Sequence, residues 1–246
     1  AFANLEGPAS DKGTDQGSIY SFRMDPKTPE ILARAGFDVL SFANNHVGDW
    51  GRDAFADTLS RITAAHIQTI GAGATITDAT TPRIIESKGI KIGFLGFSDV
   101  GPGWLGATAV NAGILLASDP NFDQIVRDAA AQVDILITSF HWGEEYMVNA
   151  HTERQELLAH RAIDAGAHLV IGHHPHVIQD TETYNGGYIA YSLGNFIFDQ
   201  AFSKDTMQGL MLNVRLKGKE ILNVNKKIVK LNSKFQPEKV VEENNN

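Results

Sequence analysis

Residues Ala35–Gly51 read AGFDVLSFANNHVGDWG. Phe37–Ala43 is rich in strand formers and apolar at nearly every position, the pattern of a strand buried on both faces. It gives way abruptly to Asn44-Asn45-His46. Beyond Gly51, Phe55, Leu59 and Ile62 recur at i, i+4 and i+7, the apolar stripe of an amphipathic helix. A buried strand that delivers polar residues to a loop and then a helix is the unit of an open α/β sheet. Such sheets hold their ligands at the carboxyl ends of the strands.

The same order recurs outward from this stretch. Val133–Phe140 (VDILITSF) leads into His141-Trp142-Gly143, and His168–Gly172 leads into His173-His174-Pro175-His176. Thr28-Pro29 supplies an N-cap and a first-turn proline for a short helix ending near Gly36. Arg83–Ser87 and Ile90–Phe97 flank Lys88-Gly89 and predict a hairpin. Asp119-Pro120 starts a helix through Ile125, Val126 and Ala129. Thr152 and Gln155 form a capping box for a helix stopping at Gly166. Tyr188–Leu193, Gly209–Leu216 and Glu220–Leu231 are expected as late strands. The early part is βαβα-like and the late part β-rich. With neither a repeat nor a linker, residues 1–235 are expected as one α/β domain and 236–246 as a polar tail.

The 246 residues carry a net charge of −8 and are 43% hydrophobic and 20% charged. The acidic balance argues against a nucleic-acid partner, which needs a basic stripe to neutralise phosphates. An anionic substrate would need local positive charge, which a metal ion supplies. There are no cysteines, so disulfides, thiolate zinc sites and cysteine nucleophiles are excluded. No apolar run is long enough to span a bilayer.

Five of the nine histidines lie in the three strand-end clusters. Singly, Asn44-Asn45 fits a turn and the histidine run a polar loop. Three clusters at three strand ends argue for a metal or catalytic site, since neutral imidazole is the commonest transition-metal ligand. A ligand set of N and O suits Mn, Fe or Zn and does not choose among them. The other four histidines, His66, His151, His160 and His168, are expected in ordinary surface or packing roles.

At these residues a resemblance emerges. Asn4-Leu5-Glu6, Ala35–Gly51, KIGFLGFSD (Lys91–Asp99), HWGEEY (His141–Tyr146), GAHLVIGHHPHVIQ (Gly166–Gln179) and YSLGNFIFDQ (Tyr191–Gln200) are together similar to the CapA-type family of poly-γ-glutamate capsule synthesis. The resemblance runs in order from Asn4 to about Gln200. It implies the fold of the calcineurin-like metallophosphoesterases, a four-layer α/β/β/α sandwich, and a two-metal site on loops after strands. It assigns metal ligands at Glu6, Asn45, His141, His174 and His176, with His173 as the substitute for His174. Glu6 stands where the superfamily has a bridging aspartate. His46 matches the residue that protonates the leaving group. Asn44, Asp49, Glu145 and Asn195 are expected in or beside the pocket, with Trp142, Phe196 and Phe198 as its walls. An opening strand with a Gly-Asp motif is expected before the first residue here, so one carboxylate ligand falls outside this sequence and metal occupancy is expected to be reduced.

The mechanism the resemblance implies is hydrolysis by a metal-activated water. The family's substrate class implies a γ-glutamyl polymer or another anionic small molecule or peptide, and a membrane capsule-synthesis complex as partner. Its setting implies the bacterial cell surface, reached through an N-terminal anchor outside this sequence. Three other readings stand beside it: a general phosphoesterase, a polymer-binding accessory of an export complex without activity, and a metal-free peptide-modifying enzyme using His46 and a carboxylate.

Overall fold

The computed structural model describes residues 1–242. Three short strands, β1 (Phe2–Asn4), β2 (Val39–Ser41) and β3 (Gln68–Ile70), form a parallel sheet in that order, with Phe2 opposite Val39 and Val39 opposite Gln68. The connections carry α1 (Thr28–Arg34) and α2 (Gly51–Ala64). Helix α2 turns Ala54, Phe55 and Ile62 into the core, and Phe42 stacks on Phe55 at 5.3 Å between ring centroids. Leu40, Val47 and Ile67 complete this cluster, with Leu32 of α1 packed against it.

The chain continues through β4 (Ala72–Gly73), α3 (Ile76–Thr80), β5 (Arg83–Ser87), β6 (Ile90–Ser98), β7 (Gly113–Ile114), α4 (Phe122–Ala130), β8 (Ile135–His141), α5 (Glu153–Asp164), β9 (Leu169–His173), β10 (Thr181–Tyr184) and β11 (Gly187–Ala190). A six-stranded sheet has the order β10-β11-β9-β8-β6-β5, parallel through its four central strands and antiparallel at both edges. Helices α4 and α5 pack on it through Phe122, Val126, Leu158 and Ala162, around the buried Phe97, Phe140 and Trp142. Strands β4 and β7 pair with each other. After β11, β12 (Gln208–Lys217), β13 (Glu220–Leu231) and β14 (Pro237–Glu242) form an antiparallel sheet.

The parallel sheet and the six-stranded sheet approach each other closely. Phe2 stacks on Phe94 at 5.9 Å. Gly71 has φ +69°, and a Cβ there would lie 2.6 Å from the Ala43 Cβ and 2.8 Å from the Gly96 backbone. Only glycine fits that crossing.

The α/β class and most elements follow the sequence expectation. The hairpin turns at Lys88-Gly89, both with positive φ as its tight turn requires. The capping box at Thr152 and Gln155 is formed in both directions. Several expectations are corrected. Lys27, not Thr28, occupies the cap of α1 and makes no side-chain bond, while Pro29 sits in the first turn. The helix expected from Asp119-Pro120 begins at Phe122, because those two residues form the turn before it. Strand β8 runs one residue further than expected, so His141 is its last member, opposite His173. The tail expected from 236 instead carries β14, whose residues pair along β13. Residues 243–246 lie outside the described residues.

Candidate metal centre

Five strands end at one place. The loop after β1 carries Glu6, the turn after β2 carries Asn45 and His46, and β8 ends on His141. The turn after β9 carries His174 and His176, and the loop after β11 carries Asn195. The turn after β9 is unusual in its backbone, because His174 has φ +99° and His176 φ +58°. Non-glycine residues rarely adopt such angles, and where they do, the surroundings hold them there.

Glu6 is the centre of the cluster. Its Oε1 lies 3.4 Å from Nε2 of His176 and 3.7 Å from Nε2 of His141. Ligand atoms of Glu6, His174 and His176 lie within 4.8 Å of one another. On the other side, His141 Nε2 is 2.7 Å from Asn45 Oδ1. Among the described residues, Oε1 of Glu6 is buried without a hydrogen-bond partner, as are His141 Nδ1 and His174 Nδ1. Buried polar atoms are normally satisfied, so this concentration of unpaired donors and acceptors calls for an explanation. A divalent cation provides one: a carboxylate oxygen of Glu6 and imidazole nitrogens of His174 and His176, the donor types such an ion takes, lie within 4.8 Å of one another. The residues present therefore fit such an ion.

The electrostatics agree. Burial, with the charges of Glu145 and Asp49, pushes the Glu6 carboxyl up to about 8. Burial brings His173 down to about 4, and burial with the nearby His176 and His46 brings His174 to about 4. His141 is held well below its ordinary value, first by burial and then by His174 and its other histidine neighbours. His176 is also lowered by burial, against the opposing effect of the hydrogen bond it donates to Asn195. These imidazoles stay neutral at pH 7, the form that ligates.

His46 stands apart from this donor set and is bound differently. Its Nδ1 is 2.8 Å from Asp49 Oδ2. Asp49 is itself fixed by the backbone N–H of Phe22 at 2.8 Å and the Ser18 hydroxyl at 3.2 Å. A carboxylate only accepts, so Nδ1 donates and Nε2 is the atom left for chemistry. Phe22 lies on the His46 ring at 3.9 Å, and Phe198 lies on the His176 ring at 4.7 Å.

The remaining sequence candidates separate by role. Asn44 is fully buried and braces the turn, donating to Leu5 O at 2.8 Å and to Asn4 Oδ1 at 3.2 Å and accepting from the His46 N–H at 3.2 Å. His173 packs near Phe2, and it is His174 that groups with Glu6 and His176. Glu145 is exposed, yet its charge is felt at Glu6 and His176. Asn195 accepts from His176 Nδ1 at 3.0 Å. Trp142 is fully buried in the core, its indole N–H donating to Tyr191 O at 2.9 Å, whereas Phe196 is 43% exposed. Tyr146 and Gln200, each within a quoted motif but not singled out, also join the cluster, as does Phe22, for which the sequence carries no signal. Away from it, His151 pairs with Asp180 at 2.9 Å and His160 with Glu182 at 3.0 Å.

Comparison with known proteins sets this geometry in context. The chain is 37% identical to the "PGA biosynthesis protein CapA" of Bacillus subtilis (strain 168) over 189 residues, 76% of this chain and 49% of that one. It is 35% identical to the "Capsule biosynthesis protein CapA" of Bacillus anthracis over 230 residues, 90% of this chain and 56% of that one. The chain thus spans about half the length of these relatives. Among solved structures, a 5'-nucleotidase precursor from Thermus thermophilus superposes with a TM-score of 0.55 at 16% identity, over 87% of this chain and 42% of that one. The shared fold is that of the metallophosphoesterases. Residues 1–200, which hold every group of the cluster from Glu6 to Gln200, match the model of the "Bacterial capsule synthesis protein PGA_cap", and the chain belongs to that family.

Proposed function

We propose that this chain is a metal-dependent hydrolase acting on a γ-glutamyl polymer in capsule synthesis, export or processing at the bacterial cell surface. The observation that carries the reading is the division of the cluster: unpaired donors around Glu6, and beside them a separate His46–Asp49 pair. Glu6, Asn45, His141, His174 and His176 would hold a divalent ion, with Mn, Fe or Zn favoured by the N and O donors. When bound, such an ion supplies a Lewis acid and an activated water.

The protein's own groups do the rest. Asp49 holds the His46 ring in place through Nδ1. Nε2 of His46 is then placed to give a proton to a departing amine or alcohol. Phe22 and Phe198 pack against the rings of His46 and His176. A polyanionic polymer gains little from a chain of net charge −8, so the cation also provides the positive charge that draws a carboxylate-rich substrate in.

The test is to load the protein with Mn, Fe or Zn and follow the length of poly-γ-glutamate and the cleavage of bis(p-nitrophenyl) phosphate. Wild type should shorten the polymer. His46→Ala should slow it ~100- to 10,000-fold at unchanged metal content, the usual range for loss of a general acid. A loaded wild type that leaves the polymer intact overturns the reading. Cleavage of the diester alone would replace it with a general phosphoesterase.

A further inference from the structure

The motifs HWGEEY and YSLGNFIFDQ meet in space through Tyr146, Asn195 and Gln200. His176 Nδ1 donates to Asn195 Oδ1 at 3.0 Å. Asn195 Nδ2 donates to Thr206 O at 3.0 Å and to Gln200 Oε1 at 3.2 Å. Gln200 Nε2 donates to the Tyr146 hydroxyl at 3.2 Å. The Tyr146 ring then returns to His176, stacked on it at 6.1 Å between centroids. The four side chains close a loop.

The polarity of this loop is fixed, not chosen. Thr206 O is a backbone carbonyl and can only accept, so the amide of Asn195 must face it with nitrogen. That leaves Oδ1 toward His176, whose Nδ1 must therefore carry a proton. The same logic turns Gln200 with Oε1 toward Asn195 and Nε2 toward Tyr146. With Nδ1 protonated, Nε2 of His176 holds the lone pair, and it faces Glu6. Tyr146 is kept in place at a cost. Its φ is +65°, a strained angle for a large side chain, and its N–H is tied to Pro175 O at 2.8 Å, in the turn that bears His176.

We propose that Tyr146 and Gln200 are positioning residues which, through Asn195, set the tautomer and ring orientation of His176. This rests on the reading of His176 as a metal ligand. Hydrogen bonds running in one direction polarise one another, so the loop also strengthens Nε2 as a donor atom. Gln200 is the joint, because its amide passes the chain of hydrogen bonds from Asn195 to Tyr146.

Two measurements on the full chain test this. One is the affinity for Zn by competition with a chromophoric chelator. The other is the 1H–15N signal of His176 Nδ1–H in the metal-free protein, with thermal unfolding as the control. Gln200→Ala and Tyr146→Phe should each weaken Zn binding, by ~10-fold and ~3-fold respectively, toward the low end for partners behind a ligand. Both should hasten solvent exchange of the Nδ1 proton. Gln200→Glu keeps an acceptor for Asn195 and lets Tyr146 donate in turn, so it should recover most of the affinity. Variants that melt like wild type and retain both its affinity and its Nδ1–H signal overturn the proposal. If wild type binds no Zn, the metal reading fails, and the exchange of the Nδ1 proton in the same variants still decides the brace.

Discussion

At the scale of single residues, Glu6 is the place to decide between a metal site, as proposed, and a polar cluster that merely tolerates burial. Its side chain is 12% exposed, and among the described residues Oε1 has no hydrogen-bond partner, a costly state for a buried carboxyl group. Glu6→Gln keeps the shape and removes the carboxyl group that can ionise against a cation. Metal affinity should fall by more than ~100-fold, since even partners behind a ligand are commonly worth 10- to 100-fold. The metal-free variant should melt no lower than metal-free wild type, because the amide brings its own donors to unpaired acceptors. Paired melts with and without Zn check both signs, and a metal-free variant that is markedly less stable would make Glu6 a structural residue. The residue types were legible in the sequence because histidines concentrated at strand ends. Their geometry was not: Asn44 and Asn45 are neighbours, yet one braces a turn while the other faces His141. Nor could the sequence show that Phe22 folds over His46.

At the scale of elements, the long loop between β1 and α1 must be held for Asp49 to be held, since Phe22 and Ser18 both bond to it. Helix α2 does this through Asp57. That carboxylate accepts from Arg61 Nε at 2.7 Å and the Ser10 hydroxyl at 2.7 Å, and pairs with Lys12 at 2.8 Å. Burial works against its ionisation, but the bonds from Lys12, Arg61 and Ser10 outweigh burial and hold it well below the usual carboxylate range. A carboxyl lowered on folding contributes stability that is complete above its unfolded value of ~3.9 and fades as pH falls through the lower folded value. Asp57→Asn should therefore be less stable than wild type at pH 7, with the gap narrowing below pH ~4. Urea unfolding at pH ~7, ~4 and ~3 measures it, and a gap that stays constant would assign the effect to packing. Elements with strong local signals, such as the hairpin at Lys88-Gly89 and the box at Thr152, were readable in the sequence. Strands β3, β4, β7, β10 and β14 were not, being short or polar and formed by pairing with distant partners rather than by their own pattern.

At the scale of the whole molecule, the sequence order of the clusters pointed to one candidate site, but not to the sheet order that brings its residues together. Residues from five strand ends come together only because β1 and β2 lie in one sheet and β8, β9 and β11 in another. Charge, unlike topology, could be read off directly, and it makes a further demand on the proposed substrate. A chain of net charge −8 and a polymer of carboxylates repel each other at long range, while the attraction to a bound cation acts at short range. Salt screens the first more than the second: the Debye length is ~30 Å at 0.01 M and ~8 Å at 0.15 M. Raising NaCl from ~0.01 to ~0.15 M should therefore lower KM for poly-γ-glutamate, by roughly 3- to 10-fold, within the range expected of electrostatic effects on encounter. The change for the singly charged bis(p-nitrophenyl) phosphate should be much smaller, because it carries little charge to repel. Chain length offers an internal control, since a short γ-glutamyl oligomer should respond less than a long one at the same salt. A KM that instead rises with salt, more steeply for longer polymer, would mean that the substrate is gathered by basic residues along its path and not by the metal alone. Arg23 over Trp50 and Arg52 over Trp104 would then be the first pairs to replace.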